Sequence, residues 1–534
     1  MIHNRAIARA RRNTIGDAVH RSAAKHGDKE ALIFGERCWS FSQLDAAADR
    51  VARRLRESGL RGGERVVAYG KNSDAYFLLW LGCVRAGLVH VPANYALSAG
   101  ELEYIVAQSG ARGLVYDPPL AANARAVYER LRLEIAGTFA GDLEFDVLSC
   151  AQDTRFDGPF EIEELTEHTL AQLLYTSGTT AAPKGAMMTH GALLAEYASC
   201  IVDLELDGKD RSLGALPLYH SAQMHVFSMP HLLIGATTRL IEAPVPELCL
   251  RLIEEQRITS FFAPPTVWIS LLRHEDFDKR DLGSLRNIYY GASIMPVPVL
   301  QELRARLPNV RPFNCYGQSE IAPLATVLRP EEHDERPASA GRPILSVETR
   351  VVDAELRDVA TGERGEIVHR SPQLLAGYWD KPADTEEAFA GGWFHSGDVG
   401  YLDAGGYLYV VDRIKDVINT GGVVVASREV EEALFTHPAV SEVAVIALPD
   451  PKWIEAVTAV VVLRSGALCA ADDLIAHARS RLAPFKVPKR VIFTDNLPRN
   501  TAGKLLKRQL RSAYAEPPGG EREPSALSES AIER

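Results

Sequence analysis

The chain has 534 residues, 46% hydrophobic and 24% charged, enough to bury a large core and too many for one ordinary domain. Its 59 basic and 70 acidic residues leave a formal charge of -11, which provides no broad positive field for nucleic acid or anionic membrane and points to soluble partners. The seven cysteines (Cys38, Cys83, Cys150, Cys200, Cys249, Cys315, Cys469) are scattered without a CxxC pair, the pattern of free thiols in a reducing cytoplasm.

Arg5, Arg9, Arg11 and Arg12 form a basic amino-terminal arm, with no apolar stretch behind them of the kind a secretory signal needs. From Phe41 to Leu60 the apolar Leu44, Ala47, Val51 and Leu55 recur at three- and four-residue steps, which predicts an amphipathic helix. ERVVAYG then reads as a strand, Asp74 to Arg85 as a helix, LVHVPA as a strand, Glu101 to Gln108 as a helix and RGLVYD as a strand. The apolar stretch Tyr76 to Pro92 is interrupted by Arg85 and His90, so it reads as a buried helix and strand and not as a membrane span. This alternation predicts a parallel sheet covered by helices.

A second α/β layer follows, with strands at SLGALPL, TTRLIE, SFFAPP, NIYYGAS and VRPFNCYG and helices such as Pro246 to Gln256. Between Val347 and Arg413 the short runs VETRVVD, GEIVHR and GYLYVVD, set among Gly and Asp, predict an antiparallel subdomain. Beyond Lys415, helix Ser427 to Phe435, strands EVAVIAL and AVTAVVVL, helix Asp472 to Leu482 and strand RVIFTD make a small α+β unit. The expected fold class is therefore α/β. Residues 1–413 form a large N-terminal domain of two α/β layers plus a small β subdomain, hinged to a small α+β C-terminal domain, residues 414–515. Residues 516–534, rich in Pro, Gly, Ser and Glu, bury too little apolar surface to offset their ordering entropy and are predicted to be disordered.

The strongest chemical signal is YTSGTTAAPKGAMMTH, Tyr175 to His190. Thr176, Ser177, Gly178, Thr179 and Thr180 offer hydroxyls and unobstructed backbone N–H groups to polyphosphate oxygens, and Lys184 adds a cation. The spacing is not that of a Walker loop. Read alone, the segment is also compatible with a Ser/Thr/Gly surface loop.

Together with LPLYHS (Leu216 to Ser221), YGQSE (Tyr316 to Glu320), GEIVHRSPQLLAGYW, GGWFHSGD, DRIKDVI and PRNTAGK, in that order, the loop resembles the adenylate-forming superfamily, which contains the acyl-CoA synthetases. The match runs from about Thr14 to Arg511. The resemblance implies ATP, Mg²⁺ and coenzyme A as cofactors, and a two-step reaction: a carboxylate displaces pyrophosphate from ATP, and the acyl-adenylate then forms a thioester.

It also implies roles for single residues. Gly291 and Ala292 would lie beside the adenine with Tyr316, and Ser293, Asn314, Gly317 and Gln318 would also bind the cofactor, while Ser319, where a Thr is usual, would touch the α-phosphate. Glu320 and Thr179 would hold the metal, Asp398 the ribose hydroxyls, and Arg413 the ribose and phosphate. Lys504 would be the adenylation lysine, Lys415 the hinge between the domains, and His220 the gate of the acyl pocket. Gly421, Gly422 and Trp453 would line the pantetheine path, with Phe485 and Lys489 near the nucleotide end of CoA.

Some positions depart from the pattern. Ala181 stands where a Gly is usual, Val423 and Val424 where Glu-Asn is usual, and Ile454 where Gly is usual. The valines either strip polar groups from the thiol channel or simply continue a strand. They bring in an alternative reading, a ligase that hands its acyl-adenylate to a carrier protein or to a separate thioester-forming enzyme.

Around His220 the candidate pocket wall (Met224, Phe227, Phe262, Trp268, Ile321, Ala322, Leu324) is apolar, so the expected substrate is a fatty or bulky hydrophobic acid. No Asp follows LPLYHS where amino-acid-activating relatives hold an α-amine. His225 reads equally as a pocket residue or as a satisfied core histidine. The expected partners are the acid and CoA or an acyl carrier protein, with a homodimer left open and no nucleic acid or integral membrane segment.

Overall fold

The computed structural model describes residue 7 and residues 10–515, apart from 142, 159, 161, 163, 177–181, 294, 414–415, 421–422 and 500–504, and only the backbone of 423 and 424. The chain divides into two compact units, the first ending at Lys415 and the second opening at Asp416. The expected tail, 516–534, lies outside the described residues.

The first unit holds three sheets. In the seven-stranded sheet, Arg65–Tyr69 lies centrally between Gly113–Tyr116 and Val89–Ala93, and Leu170–Thr176 with Lys184–Thr189 forms the far edge. All its pairings are parallel except the last, an antiparallel hairpin in which Thr176 opposes Lys184 across the phosphate-loop segment. The helix Phe41–Glu57 starts at a Ser40/Gln43 capping box and lays its apolar face on the helix Asp74–Ala86, every residue of which is buried. Gly82 makes that approach possible, because a Cβ there would come within 2.4 Å of Val51.

In the nine-stranded sheet, Ser260–Phe262, Asn287–Gly291 and Arg311–Gly317 run parallel. Leu324–Leu328 returns antiparallel beside the last of them. The third sheet is an antiparallel meander of Glu348–Val352, Gly365–Arg370, Phe394–Leu402 and Leu408–Arg413.

The second unit is a sheet built on the long hairpin Val440–Asp450 and Ile454–Leu463. Arg490–Phe493 is added in parallel, and helices Ser427–Phe435, Ala471–Arg479 and Lys507–Tyr514 complete the unit. Its core gathers Val430, Leu434, Val445, Val457, Val461 and Leu474. Val423–Val425 is a strand, opposite Ile418–Thr420. The helix Lys507–Tyr514 escapes a pattern reading because Leu510 is its single buried residue.

At the other end, Arg12 does not belong to a solvated arm. Its guanidinium pairs with Asp17 at 2.6 Å and donates to the Ile162 carbonyl at 3.2 Å.

Candidate active site

The parallel strands of the nine-stranded sheet deliver their carboxyl ends to one place, where open α/β sheets present loops to ligands. Asn287–Gly291 runs out into Ala292, exposed at φ +61°, and half-buried Ser293. Arg311–Gly317 runs out through Gln318 into the short turn Ser319–Ile321 that carries Glu320. Within this strand Asn314 donates to the Ser339 carbonyl at 2.7 Å.

Two glycines here answer to neighbouring backbone. A Cβ on Gly291 would lie 2.3 Å from the Cys315 carbonyl oxygen, and one on Gly317 would lie 1.9 Å from that of Pro323. Strand packing thus demands Gly291 in its own right. Gln318 Nε2 is buried and has no hydrogen-bond partner among the described residues, an unmet donor at the end of this strand.

Asp398 stands at the centre of a second cluster. It is 4% exposed, and the antiparallel register sets it directly opposite Arg413. Arg413 Nε approaches Asp398 Oδ1 at 3.1 Å, and the Tyr316 phenol donates to Oδ2 at 2.7 Å. Burial, and then the adjacent Asp398 charge, push the Tyr316 phenol well above its ordinary pKa, so it remains a donor. An ionised carboxylate has about four lone-pair sites. Two donors therefore orient Asp398 and leave capacity for hydroxyls of a ligand.

The third cluster surrounds Glu320, whose Oε1 accepts from the Thr176 hydroxyl at 2.9 Å and the Tyr378 phenol at 3.3 Å. Burial and the Glu320 charge keep the Tyr378 phenol protonated. Lys184 pairs with Asp384 and lies 5.3 Å from the Tyr378 ring centroid. Among the described residues no group of three or more His, Cys, Asp or Glu is placed to hold a metal ion. One carboxylate beside a hydroxyl is the hard-oxygen donor set that suits Mg²⁺, which takes its other ligands from water and substrate phosphates. The residues fit that ion.

LPLYHS joins the cleft through Ser221, whose hydroxyl lies 2.9 Å from that of Ser319. His220 is half-buried beside the Tyr219 ring, with centroids 4.9 Å apart. Of the expected wall residues, Phe227 stacks on Phe262 at 4.5 Å and shares a buried cluster with Leu324. Trp268 instead packs on Phe261 and donates to the Tyr289 carbonyl. His225 is settled as a core histidine. It is fully buried, 2.8 Å from both the Tyr197 hydroxyl and Gln172 Oε1, and Gln172 reaches on to His90.

In the second unit Trp453 and Lys489 meet, with the ammonium 5.1 Å from the ring centroid and Lys452 at 5.0 Å. Burial and the nearby Arg479 and Lys452 lower the Lys489 pKa. Phe485 is exposed, capped by Lys486. Ile454, next to Trp453, takes φ +67°, a left-handed conformation that a β-branched residue rarely adopts. Ser177, Gly178, Thr179, Thr180, Lys415, Gly421, Gly422 and Lys504 lie outside the described residues.

Sequence reasoning passed over Tyr378, Asp384 and Ser221 as site residues. Tyr378 and Ser221 sit inside quoted motifs, which was the available signal, whereas Asp384 follows in a polar helix with nothing to mark it.

The family model described as AMP-binding enzyme matches residues 19–379, and the AMP-binding enzyme C-terminal domain matches residues 429–504. The chain is similar to a feruloyl-CoA synthase of an Amycolatopsis species, 37% identical over 495 residues that span 93% of this chain and 96% of the relative. A long-chain-fatty-acid–CoA ligase of Bacillus subtilis (strain 168) is 30% identical over 528 residues, spanning 93% of this chain and 94% of that one. Among solved structures, the anthranilate CoA ligase AuaEII in complex with anthranoyl-AMP superposes with a TM-score of 0.88 at 26% identity, covering 94% of this chain and 98% of that one. With matched motifs in order, a shared fold and both family models, the chain belongs to the AMP-binding enzyme family of adenylate-forming, acyl-CoA synthetase-type proteins.

Proposed function

We propose that the protein is an ATP-dependent acid–thiol ligase that adenylates a hydrophobic carboxylic acid and passes the acyl group to coenzyme A. The observation that carries this reading is the pair of preset carboxylates in the first unit: Asp398 held by Tyr316 and Arg413, and Glu320 held by Thr176 and Tyr378. In the first half-reaction a carboxylate oxygen of the acid attacks the α-phosphorus and pyrophosphate leaves. Charge builds on phosphate oxygens, where preset donors and cations are worth most. Lys184 and Arg413 are the cations this reading assigns to that work. Magnesium, when bound, would neutralise part of the polyphosphate charge as a Lewis acid. In the second half-reaction the thiol sulfur attacks the acyl carbon and AMP leaves.

The division of labour follows the motifs. Residues 1–413 would bind nucleotide and acid, and residues 414–515, with Lys504, would serve each half-reaction in turn. The substrate class, a fatty or bulky hydrophobic acid, is supported by the apolar residues after His220, of which Phe227, Phe262 and Leu324 cluster. The chain's free cysteines accord with a cytoplasmic setting, and no helix among the described residues is long and apolar enough to cross a membrane.

A carrier-protein thiol is the second reading, favoured by Ile454, which is 61% exposed in a left-handed conformation that suits Gly. The purified enzyme separates the two. A panel of aliphatic and aromatic acids with ATP should release pyrophosphate, and added CoA should yield acyl-CoA. Acyl-AMP that persists in the presence of CoA would favour the carrier, and no acid-dependent pyrophosphate from any member would exclude both.

A further inference from the structure

Behind the turn that carries Ser319 and Glu320 lies a polar clamp built from two residues outside the nucleotide cleft. Glu196, on the helix His190–Asp203, and Gln373, between Arg370 and Tyr378, are both fully buried. Glu196 Oε1 accepts from the Leu324 N–H at 3.0 Å and from the Cys200 thiol at 3.3 Å, while Oε2 accepts from Gln373 Nε2 at 2.6 Å. The same Nε2 faces the carbonyls of Ile321 at 2.9 Å and Leu324 at 2.5 Å. Gln373 Oε1 accepts from the Ser199 hydroxyl at 3.4 Å.

These contacts grip the chain on both sides of Ala322–Pro323, immediately after Glu320. A fourth tie comes from the same segment, where the Leu375 N–H donates to the Glu320 carbonyl at 2.8 Å. Buried backbone groups of a turn need partners, and here the Glu196 and Gln373 side chains meet the Leu324 N–H and the Ile321 and Leu324 carbonyls. A buried carboxyl is a costly way to provide one acceptor, since an apolar helix residue would serve packing alone. Its retention is explained if the turn must be held in one conformation.

We propose that Glu196 and Gln373 are positioning residues that fix the Glu320 carboxylate in its orientation toward magnesium-bound ATP. This rests on the reading that Glu320 helps hold that ion. Partners that orient a metal-ligating carboxylate typically change metal affinity by about 10–100-fold when removed.

The test uses the full-length protein and isothermal titration with ATP, once with Mg²⁺ and once with chelator. Gln373→Met keeps most of the volume and removes every hydrogen bond of the side-chain amide. It should weaken binding of the magnesium complex about tenfold and leave metal-free ATP binding unchanged. Ser22→Ala, which removes a buried hydrogen bond to the Leu232 carbonyl far along the chain, controls for general destabilisation and should change neither affinity. If Gln373→Met does not fold, Gln373→Asn, which keeps the amide and withdraws it by one methylene, is read the same way.

Equal weakening with and without metal, or no weakening at all, overturns the clamp. Glu320→Gln is titrated in parallel. If it too binds the magnesium complex like the parent, the reading of Glu320 itself has failed, and the clamp falls with it. If Glu320→Gln loses magnesium-dependent affinity while the Gln373 variants do not, only the clamp is refuted.

Discussion

The phenol of Tyr316 donates to Asp398 across 2.7 Å, although 82 residues separate the two in sequence. The contact links the end of a parallel strand in the nine-stranded sheet to the third strand of the antiparallel meander. Asp398 thereby has a fixed orientation, the preorganisation that its proposed contact with a ribose would need.

Tyr316→Phe should therefore weaken nucleotide binding without disturbing the fold. Removing one donor from a buried carboxylate costs about 1–3 kcal/mol, roughly a thirtyfold loss of affinity at the middle of that range. Titration of ATP into the variant measures this directly. An affinity equal to that of the parent would mean that Asp398 does not contact the ligand.

Lys504→Ala should abolish adenylation yet leave the second half-reaction running. The check is a pair of assays: acid-dependent pyrophosphate release, and thioester formation from preformed acyl-AMP and CoA. Adenylation at the parental rate would remove Lys504 from the chemistry.

Ile454→Gly should stabilise the second unit. A β-branched residue at φ +67° carries strain of about 1–2 kcal/mol that glycine relieves, offset in part by the larger unfolded-state entropy of glycine. The side chain is 61% exposed, so little buried packing is lost. The unfolding midpoint of this unit should rise, and a fall would show that the isoleucine packs on something its exposure conceals. Acceleration of the CoA-dependent step in the same variant would support Ile454 as an obstruction to the thiol.

Acid should destabilise the protein through its buried histidines. Burial holds His90 and His225 down to about 3, with His90 further depressing His225. In the unfolded chain both titrate at about 6.5. Between those values the unfolded chain binds protons that the folded chain does not, so stability grows with pH and is lost on acidification below about 6.5. Each residue contributes about 1.4 kcal/mol per pH unit in that window. The thermal midpoint should drop between pH 6.5 and 5, and His225→Gln should flatten the slope. A slope identical in the variant would show that His225 is charged in the folded state.

Much of the fold was legible because it rests on local periodicity. Asp74 to Arg85 reads as a buried helix from the apolar run between those two charges, and it is the helix Asp74–Ala86. Ser427 to Phe435 was bounded correctly because its apolar face repeats at helical spacing, with Val430, Ala433 and Leu434 buried. Helices with one or few buried residues, such as Lys507–Tyr514, left no such trace.

Residue type and order alone display the available chemical groups: a Ser/Thr/Gly loop with Lys184, then Tyr316, Glu320, Asp398 and Arg413. Those depend on residue type and spacing, which a single chain displays. Packing alone places His225 in a core network, sets Asp384 and Tyr378 beside Lys184 and Glu320, and brings the buried Glu196 to the Leu324 N–H just after the Glu320 turn. The difference is one of range. Hydrogen bonds and ion pairs act over a few ångströms, and residues 144 apart in sequence, such as Thr176 and Glu320, come within that distance only through the packing of whole sheets.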